Sequence, residues 1–138
     1  MTREGPYQRF IGEQFEGGIE LDIVHPRGPF TLTAPVVALV GRWTGSMGEG
    51  MAVGLDALDR ATIVGTPMAG LRGGVEGFTL PNTGVTVNLP VFRISHVDGT
   101  PRENFVPPVL VDLRQAGGYD PVLSAGVDYL RLGESETH

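Results

Sequence analysis

A serine lies where the chain passes from an apolar run into a helical pattern. Pro35–Gly41 is apolar and rich in β-branched residues, and Gly45-Ser46-Met47-Gly48-Glu49 follows after three residues. This order is typical of a buried strand, a sharp turn and a helix. The turn would raise the Ser46 hydroxyl to the end of the sheet, beside the first N–H groups of the helix, including that of Met47. An acyl-transfer enzyme places its nucleophile and its oxyanion donors in this arrangement.

The same residues also fit a purely structural role. Ser46-x-x-Glu49 matches a capping box, in which the serine begins the helix and the glutamate reaches back to the serine N–H. Serine is among the preferred residues at this position. Because a helix cap and a nucleophile can share one residue, the local pattern leaves both interpretations open.

Few titratable residues are available to assist Ser46. The sequence contains no Cys and no Lys, and it contains three His. His25 lies in a Pro-rich loop and is expected at the surface, and His138 is expected to fray at the terminus. His96 precedes Glu103 by seven residues, so a Ser46/His96/Glu103 triad is one hypothesis. Three separated histidines predict no metal site, and no motif calls for a cofactor.

A βαβ unit is expected to position the serine. The helix is predicted at about residues 47–58, where Met47, Met51, Leu55 and Leu58 recur at helical spacing and are expected to face a core. The apolar segment 60–65 predicts a second strand, parallel to the first. Trp43 is expected to pack beside the turn.

A β layer and a final helix are predicted after this unit. Segments 78–80 and 85–89 flank Pro81-Asn82-Thr83-Gly84 as a hairpin, and 91–97 continues the layer. Residues 102–111 are broken by proline. Asp120, Pro121 and Gly133 mark the cap, the first position and the end of the last helix.

Composition bounds the class of protein. A chain of 138 residues with 41% hydrophobic residues fits one globular domain, and 21 Gly with 11 Pro favour strands and turns. Residues 1–34 are interpreted as a peripheral segment with a possible strand at Ile19–Val24, 35–132 as the main domain and 133–138 as a tail. The net charge of −6 argues against nucleic acid and anionic membranes as partners. No signal peptide or membrane span is predicted, and the cellular compartment stays open.

Several motifs in order resemble those of the C-terminal processing, or tail-specific, serine peptidases and the related tricorn core proteases. They are Gly45-Ser46-Met47-Gly48-Glu49, Val64-Gly65-Thr66-Pro67-Met68-Ala69-Gly70 and Leu80-Pro81-Asn82-Thr83-Gly84, within about residues 35–112. The resemblance implies an α/β fold of the crotonase-like β-β-α spiral type. It makes Ser46 the nucleophile, the Met47 N–H an oxyanion donor and a polypeptide the substrate. Relatives of this kind are often extracytoplasmic.

The chain departs from the family pattern at the general base. The bacterial peptidases place a Lys where this sequence has Leu71, followed by Arg72, and arginine remains protonated at working pH. The tricorn-like branch uses a His with a late-loop Glu, for which Glu103 in Glu103-Asn104 is the candidate. The family's His segment and its oxyanion loop have no counterpart in residues 1–34.

These departures leave two expectations for function. In the first, the chain is the C-terminal, nucleophile-bearing part of a serine peptidase, completed by a His from upstream and inactive by itself. In the second, it is a catalytically degenerate domain of the same fold that binds a ligand or partner. An exposed sheet edge would favour self-association in either case.

Overall fold

Two sheets and two helices organise the part of the chain that the structure describes. A computed structural model describes residues 4–25, 28–29, 32–115 and 118–135. The antiparallel sheet has the order β2-β1-β6-β5, and the parallel sheet has the order β3-β4-β7. The strands are β1 (Gly5–Ile11), β2 (Ile19–Val24), β3 (Val37–Val40), β4 (Thr62–Gly65), β5 (Gly74–Thr79), β6 (Thr86–Ser95) and β7 (Val109–Leu110), and the helices are α1 (Met47–Ala57) and α2 (Pro121–Ser135).

The predicted βαβ unit is confirmed. Strands β3 and β4 pair in parallel from Val37↔Thr62 to Val40↔Gly65, and α1 connects them. Gly65 has φ +148°, and a Cβ at this position would lie 1.9 Å from the Val40 carbonyl oxygen. Only glycine therefore allows the two strand ends to meet where the turn toward α1 begins.

The buried face of α1 differs from the prediction. Met47 and Met51 are 83% and 69% exposed, so their predicted core positions are wrong, whereas Leu55 does pack against the core. The inward face instead carries small residues and one carboxylate, namely Glu49, Gly50, Ala52, Val53 and Gly54. The close approach of β1 explains this choice: a Cβ on Gly54 would lie 2.7 Å from the Tyr7 ring.

The N-terminal hairpin is part of the sheet rather than peripheral. The predicted strand Ile19–Val24 is confirmed, but β1 pairs with both β2 and β6, and its Gln8 side chain donates to the Gly50 carbonyl of α1 at 2.9 Å. The rings of Phe10 on β1, Phe15 in the following turn and Phe92 on β6 contact one another. The peripheral assignment of residues 1–34 therefore does not hold for β1 and β2, because their pairing is long-range.

The two helices lie against the parallel sheet. The core joins Val40, Ala52 and Ile63, and α2 packs on β3 and β4. Asp120 caps α2 as predicted, accepting the Val122 and Leu123 N–H groups. Gly133 lies within α2 rather than after it, and residues 136–138 of the predicted tail are outside the described residues. Neither helix is long and apolar enough to cross a membrane, among the residues described.

The remaining predictions for the β layer are confirmed in outline. Strands β5 and β6 form the hairpin around the predicted turn, with Phe78 opposite Val87. Strand β6 extends to Ser95 and so joins the hairpin to β1. The proline-broken segment contains a 3₁₀ helix at Arg102–Asn104 and the two-residue strand β7.

Candidate active site

Ser46 occupies a strained backbone position at the start of α1. It is the N-cap residue, it is exposed, and its φ of 51° and ψ of −113° lie outside the conformations that non-glycine residues favour. Strand β3 ends six residues earlier and α1 begins at the next residue. The structure thus contains the predicted strand–turn–helix elbow with the serine at its tip. Strain of this kind persists only where surrounding contacts hold it.

Hydrogen bonds fix the turn that leads to Ser46. Thr44 donates its N–H to Gly41 O at 2.8 Å, and its hydroxyl accepts from the Gly41 N–H at 3.1 Å. The Thr44 carbonyl accepts from the Ala69 N–H at 2.9 Å, which ties the turn to the loop after β4. The Gly48 N–H donates to Gly45 O. The elbow is therefore held from both sides before any ligand binds.

A fully buried carboxylate supports the strained serine. Glu49 is 0% exposed, and its Oε2 accepts the Ser46 N–H at 2.9 Å, which is the backbone half of the predicted capping box. Its Oε1 accepts two further N–H groups, from Gly70 at 2.7 Å and Leu71 at 3.1 Å. One side chain therefore joins the elbow to the loop that follows β4, and it does more than cap a helix.

Arg102 supplies the countercharge for Glu49. Its side chain is 5% exposed, and its Nε lies 3.8 Å from Glu49 Oε2. The guanidinium also donates to Leu71 O at 2.9 Å and to Gly73 O at 3.2 Å. A buried carboxylate is stable only when it is paired and hydrogen-bonded, so Arg102 and Glu49 form one unit that fixes the Gly70–Gly73 loop against α1.

Leu71 lies directly beside the elbow. Its Cδ1 is 3.2 Å from where a Cβ on Gly45 would be placed, and the side chain is 47% exposed. The loop geometry thus brings position 71 to the residue that precedes Ser46.

Comparison with known proteins agrees with this geometry. The sequence model of peptidase family S41 matches residues 16–111, which is more than half of the chain. The chain belongs to peptidase family S41. The resemblance to processing peptidases in the sequence motifs is thereby confirmed, and the matched region also includes the N-terminal hairpin strand β2. No curated protein sequence matches the chain.

Solved structures share the mixed α/β fold of this S41 chain. A peptidase candidate from Parabacteroides merdae superposes with a TM-score of 0.73 at 17% identity, over 94% of this chain and 44% of that protein. The photosystem II D1 C-terminal processing protease superposes with a TM-score of 0.67 at 23% identity, over 81% of this chain and 28% of that protein. Mature CPAF superposes with a TM-score of 0.59 at 26% identity, over 79% of this chain and 21% of that protein. The chain therefore spans less than half the length of each of these proteins.

His96 lies at the other end of α1 from Ser46. Its Nε2 is 3.5 Å from Asp56 Oδ2 and its Nδ1 is 2.9 Å from Asp98 Oδ1. Ser46 and Asp56 are ten residues apart, which corresponds to about 15 Å along a helix. The structure does not bring His96 and Ser46 together, because α1 separates them.

The carboxylates beside His96 differ in their surroundings. Burial raises the pKa of Asp56, with the nearby imidazole opposing this shift. The Thr100 N–H lowers the pKa of Asp98 to about 2, with a smaller contribution from His96. His96 is 12% exposed and packs near the Phe105 ring. These contacts fit a structural link between the end of α1 and the turn after β6.

Glu103 lies near the loop after β4 but not at the elbow. Its Oε1 is 3.7 Å from the Nε of the exposed Arg72 side chain. No hydrogen bond or ion pair joins Glu103 to Ser46 within the described ranges. His25 is exposed and pairs with Glu4, as expected for a surface loop.

Two features escaped the sequence interpretation. Arg102 was visible only as a neighbour of Glu103, and the sole signal for its role is that a buried Glu49 requires a cation. Trp43 does not pack into the protein beside the turn: it is 85% exposed, with the Arg42 guanidinium 4.8 Å above its ring. Among the described residues, no cluster of His, Asp and Glu has the composition of a metal site.

Proposed function

We propose that this chain is the nucleophile-bearing domain of a serine peptidase of the C-terminal processing type. The observation that carries the proposal is the positive φ of Ser46, an exposed hydroxyl residue held in a strained conformation by a buried carboxylate. Strained residues cluster at active sites because strain maintained by the surrounding structure positions a reacting group in advance. Membership of family S41 supports the same role.

The proposed chemistry assigns one step to each group. The Ser46 Oγ attacks the carbonyl carbon of a peptide, and the N–H of Met47 stabilises the oxyanion. The N-terminus of α1 adds the positive end of its dipole. A His from outside this sequence removes the serine proton and returns it to the leaving amine, and Glu103 orients that His from its position near the loop after β4.

The base is assigned to residues outside this sequence for two reasons. The sequence contains no Lys, and His96 lies about 15 Å along α1 from the serine. An unassisted serine hydroxyl is a weak nucleophile. We therefore expect the isolated chain not to turn over peptide substrates.

Chemical rescue by imidazole tests the proposal. A fluorophosphonate probe should label Ser46 slowly, and added imidazole should accelerate the labelling by supplying the missing base. Ser46→Ala should abolish the labelling, whereas Ser124→Ala on α2 should leave it unchanged. Failure of imidazole to produce preferential labelling of Ser46 would overturn the proposed nucleophile. Steady peptide turnover without imidazole would overturn the external base.

A catalytically degenerate binding domain is the second candidate. The apolar Leu71 beside Gly45 favours it, because the resemblance in sequence motifs expects a lysine at this position. Leu71→Lys discriminates between the two candidates. If the elbow retains catalytic geometry, the new amine should replace imidazole, provided that Arg72 and Arg102 lower its pKa. A Leu71→Lys variant that remains unlabelled, together with failed imidazole rescue, would favour the binding domain.

The fold can also be proposed in more detail than the mixed α/β class. We propose that β3, α1, β4, β7 and α2 form part of a crotonase-like spiral. The parallel order β3-β4-β7, with a helix connecting the first two strands, supports this assignment.

A further inference from the structure

A cleft opens beside the elbow at the carboxyl ends of β3 and β4. Its volume is about 490 Å³, which is within the usual range of ligand pockets. It is lined by Gly41, Arg42, Trp43, Thr44, Thr66, Leu113 and Val122. In parallel α/β sheets, ligands bind outside the carboxyl ends of the strands. The cleft therefore lies where this class of fold places its ligands.

One wall of the cleft is an aromatic ring on a rigid turn. Residues Gly41 and Thr44 exchange two hydrogen bonds across the turn, and Trp43 is 85% exposed at its tip. An ordered tryptophan with this exposure leaves a large apolar surface in water. The Arg42 guanidinium lies 4.8 Å from the centre of this ring, and a ligand with its own apolar surface would cover the ring surface that Arg42 leaves exposed, with little loss of conformational entropy.

The opposite wall is held by close helix–sheet packing. A Cβ on Gly126 of α2 would lie 2.6 Å from Leu39 Cδ2, so α2 crosses β3 at very short distance there. Val122 is four residues earlier, or about 6 Å along the helix, which brings it to the carboxyl end of the strand. Leu113 completes this wall from the 3₁₀ helix Leu113–Gln115.

We propose that this cleft binds a large apolar side chain of the polypeptide substrate, within a few residues of the bond that Ser46 attacks. The proposal rests on the proposed peptidase function. Trp43 and Ser46 are three residues apart, which limits their separation to about 11 Å. Arg42, the charged lining residue, disfavours a cationic side chain by like-charge repulsion. The expected ligand is therefore a peptide with Phe or Leu, and not Lys, at the contacting position.

Trp43 itself reports occupancy, because it is the only tryptophan in the sequence. The 138-residue chain is titrated with acetyl-Ala-Ala-Phe-Ala-amide, and the Trp43 emission should shift to shorter wavelength and saturate. Analogues with Lys or Gly in place of Phe should bind at least about tenfold more weakly. Ser46→Ala should leave the titration unchanged, so binding is measured independently of catalysis.

A matched pair of α2 variants tests the location. Val122→Asp places a charge in the wall of the cleft and should weaken binding of the Phe peptide by about tenfold or more. Leu123→Asp places the same charge on the adjacent residue, which is outside the cleft, and should leave binding unchanged. Both acids lie in the first turn of α2, where negative charge favours the helix. Because Val122 is less exposed than Leu123, circular dichroism of both variants must show equal helix content before a difference in binding is assigned to the cleft.

Three results would overturn the proposal. They are no saturable emission shift, equal binding of the Phe and Gly peptides, and equal effects of the two α2 substitutions. The Trp43 emission could instead shift with protein concentration and without added peptide. If sedimentation velocity then detects dimers, the cleft is covered by a second copy of the chain. Preferential labelling of Ser46 combined with no peptide binding would reject the cleft while retaining the nucleophile.

Discussion

The two ends of α1 each contain a non-glycine residue with positive φ, and they differ in what holds it. At the far end, Asp59 has φ 47° and follows the C-cap. The Asp59 N–H donates to Asp56 O and the Arg60 N–H donates to Leu55 O, which is the Schellman pattern. The conformation of Asp59 therefore belongs to a common helix-ending motif.

The capping box between Ser46 and Glu49 does not by itself explain the conformation of Ser46, because an N-cap residue normally has extended backbone angles. Its conformation is held by Glu49, a carboxylate that is buried with Arg102 and that also binds the loop after β4. Burying this pair requires desolvation of two charges, whereas the Schellman motif uses only backbone groups. Positive φ alone is thus a poor indicator of function. The informative feature is a strained residue whose support comes from long-range, charged contacts.

The largest expected effect comes from removing the charge support at the elbow. Arg102→Met leaves Glu49 buried without its countercharge and should lower the free energy of unfolding by about 3–5 kcal/mol. Arg72→Met removes the surface ion pair with Glu103 and should change the free energy of unfolding by less than about 1 kcal/mol. Urea denaturation monitored by circular dichroism measures both.

A double variant separates charge from packing. Glu49→Gln combined with Arg102→Met removes the unpaired charge and should lose less stability than Arg102→Met alone. Equal losses in Arg102→Met and Arg72→Met would show that the buried charge pair supports the elbow no more than the Arg72–Glu103 surface contact does.

The second effect concerns the strain itself. Glycine adopts positive φ freely and alanine does not, and a serine cap replaced by glycine loses only a few tenths of a kcal/mol. Ser46→Gly should therefore be more stable than Ser46→Ala by about 1–3 kcal/mol. Thermal unfolding of the two variants gives this difference.

Asp59→Gly is the control for the far end. It should stabilise the chain by up to about 1 kcal/mol and leave the fluorophosphonate labelling of Ser46 unchanged. If Ser46→Ala is as stable as Ser46→Gly, the backbone of Ser46 is unstrained in solution. The proposed difference between Ser46 and Asp59 in what holds their positive φ would then be wrong.

The sequence predicted those parts of the site that depend on local pattern. An apolar run, a Gly-Ser-x-Gly turn and helical spacing were enough to locate β3, Ser46 and α1, and Asp120 with Pro121 located the start of α2. Each of these signals acts over a few residues, so tertiary contacts had little opportunity to override them.

Features that depend on long-range contacts were missed. Met47 and Met51 have core-like spacing, yet β1 packs on the glycine face of α1, and nothing local predicts that β1 pairs with β6 more than 80 residues later. The Glu49–Arg102 pair joins residues 53 positions apart, with no periodicity to connect them. The positions of His96 and Ser46 at opposite ends of α1 were also missed, because sequence order does not show that a helix length separates two residues.

A smaller effect is expected from His96 at the far end of α1. His96→Gln retains a polar side chain but loses the imidazole contacts with the Asp56 and Asp98 carboxylates, and it should lower the free energy of unfolding by about 1 kcal/mol. Imidazole-dependent labelling of Ser46 should stay within about twofold of the original rate, because distant sites act independently. A loss of labelling with the fold intact would connect the two ends of the helix functionally and remove the contrast between them.

The smallest effect is a pH dependence near the far end, where the Tyr7 ring packs against Gly54. The Tyr7 hydroxyl donates to the Asp22 carboxylate, and this hydrogen bond, more than burial, raises the pKa of Tyr7 from 10.0 to about 12. Folding therefore favours the protonated hydroxyl. Its contribution is complete below pH 10 and is lost as the pH rises toward about 12. Tyr7→Phe should abolish this part of the alkaline decline in urea midpoint, whereas Tyr129→Phe on α2 should retain it. An unchanged alkaline decline in Tyr7→Phe would show that the far end does not titrate in this range.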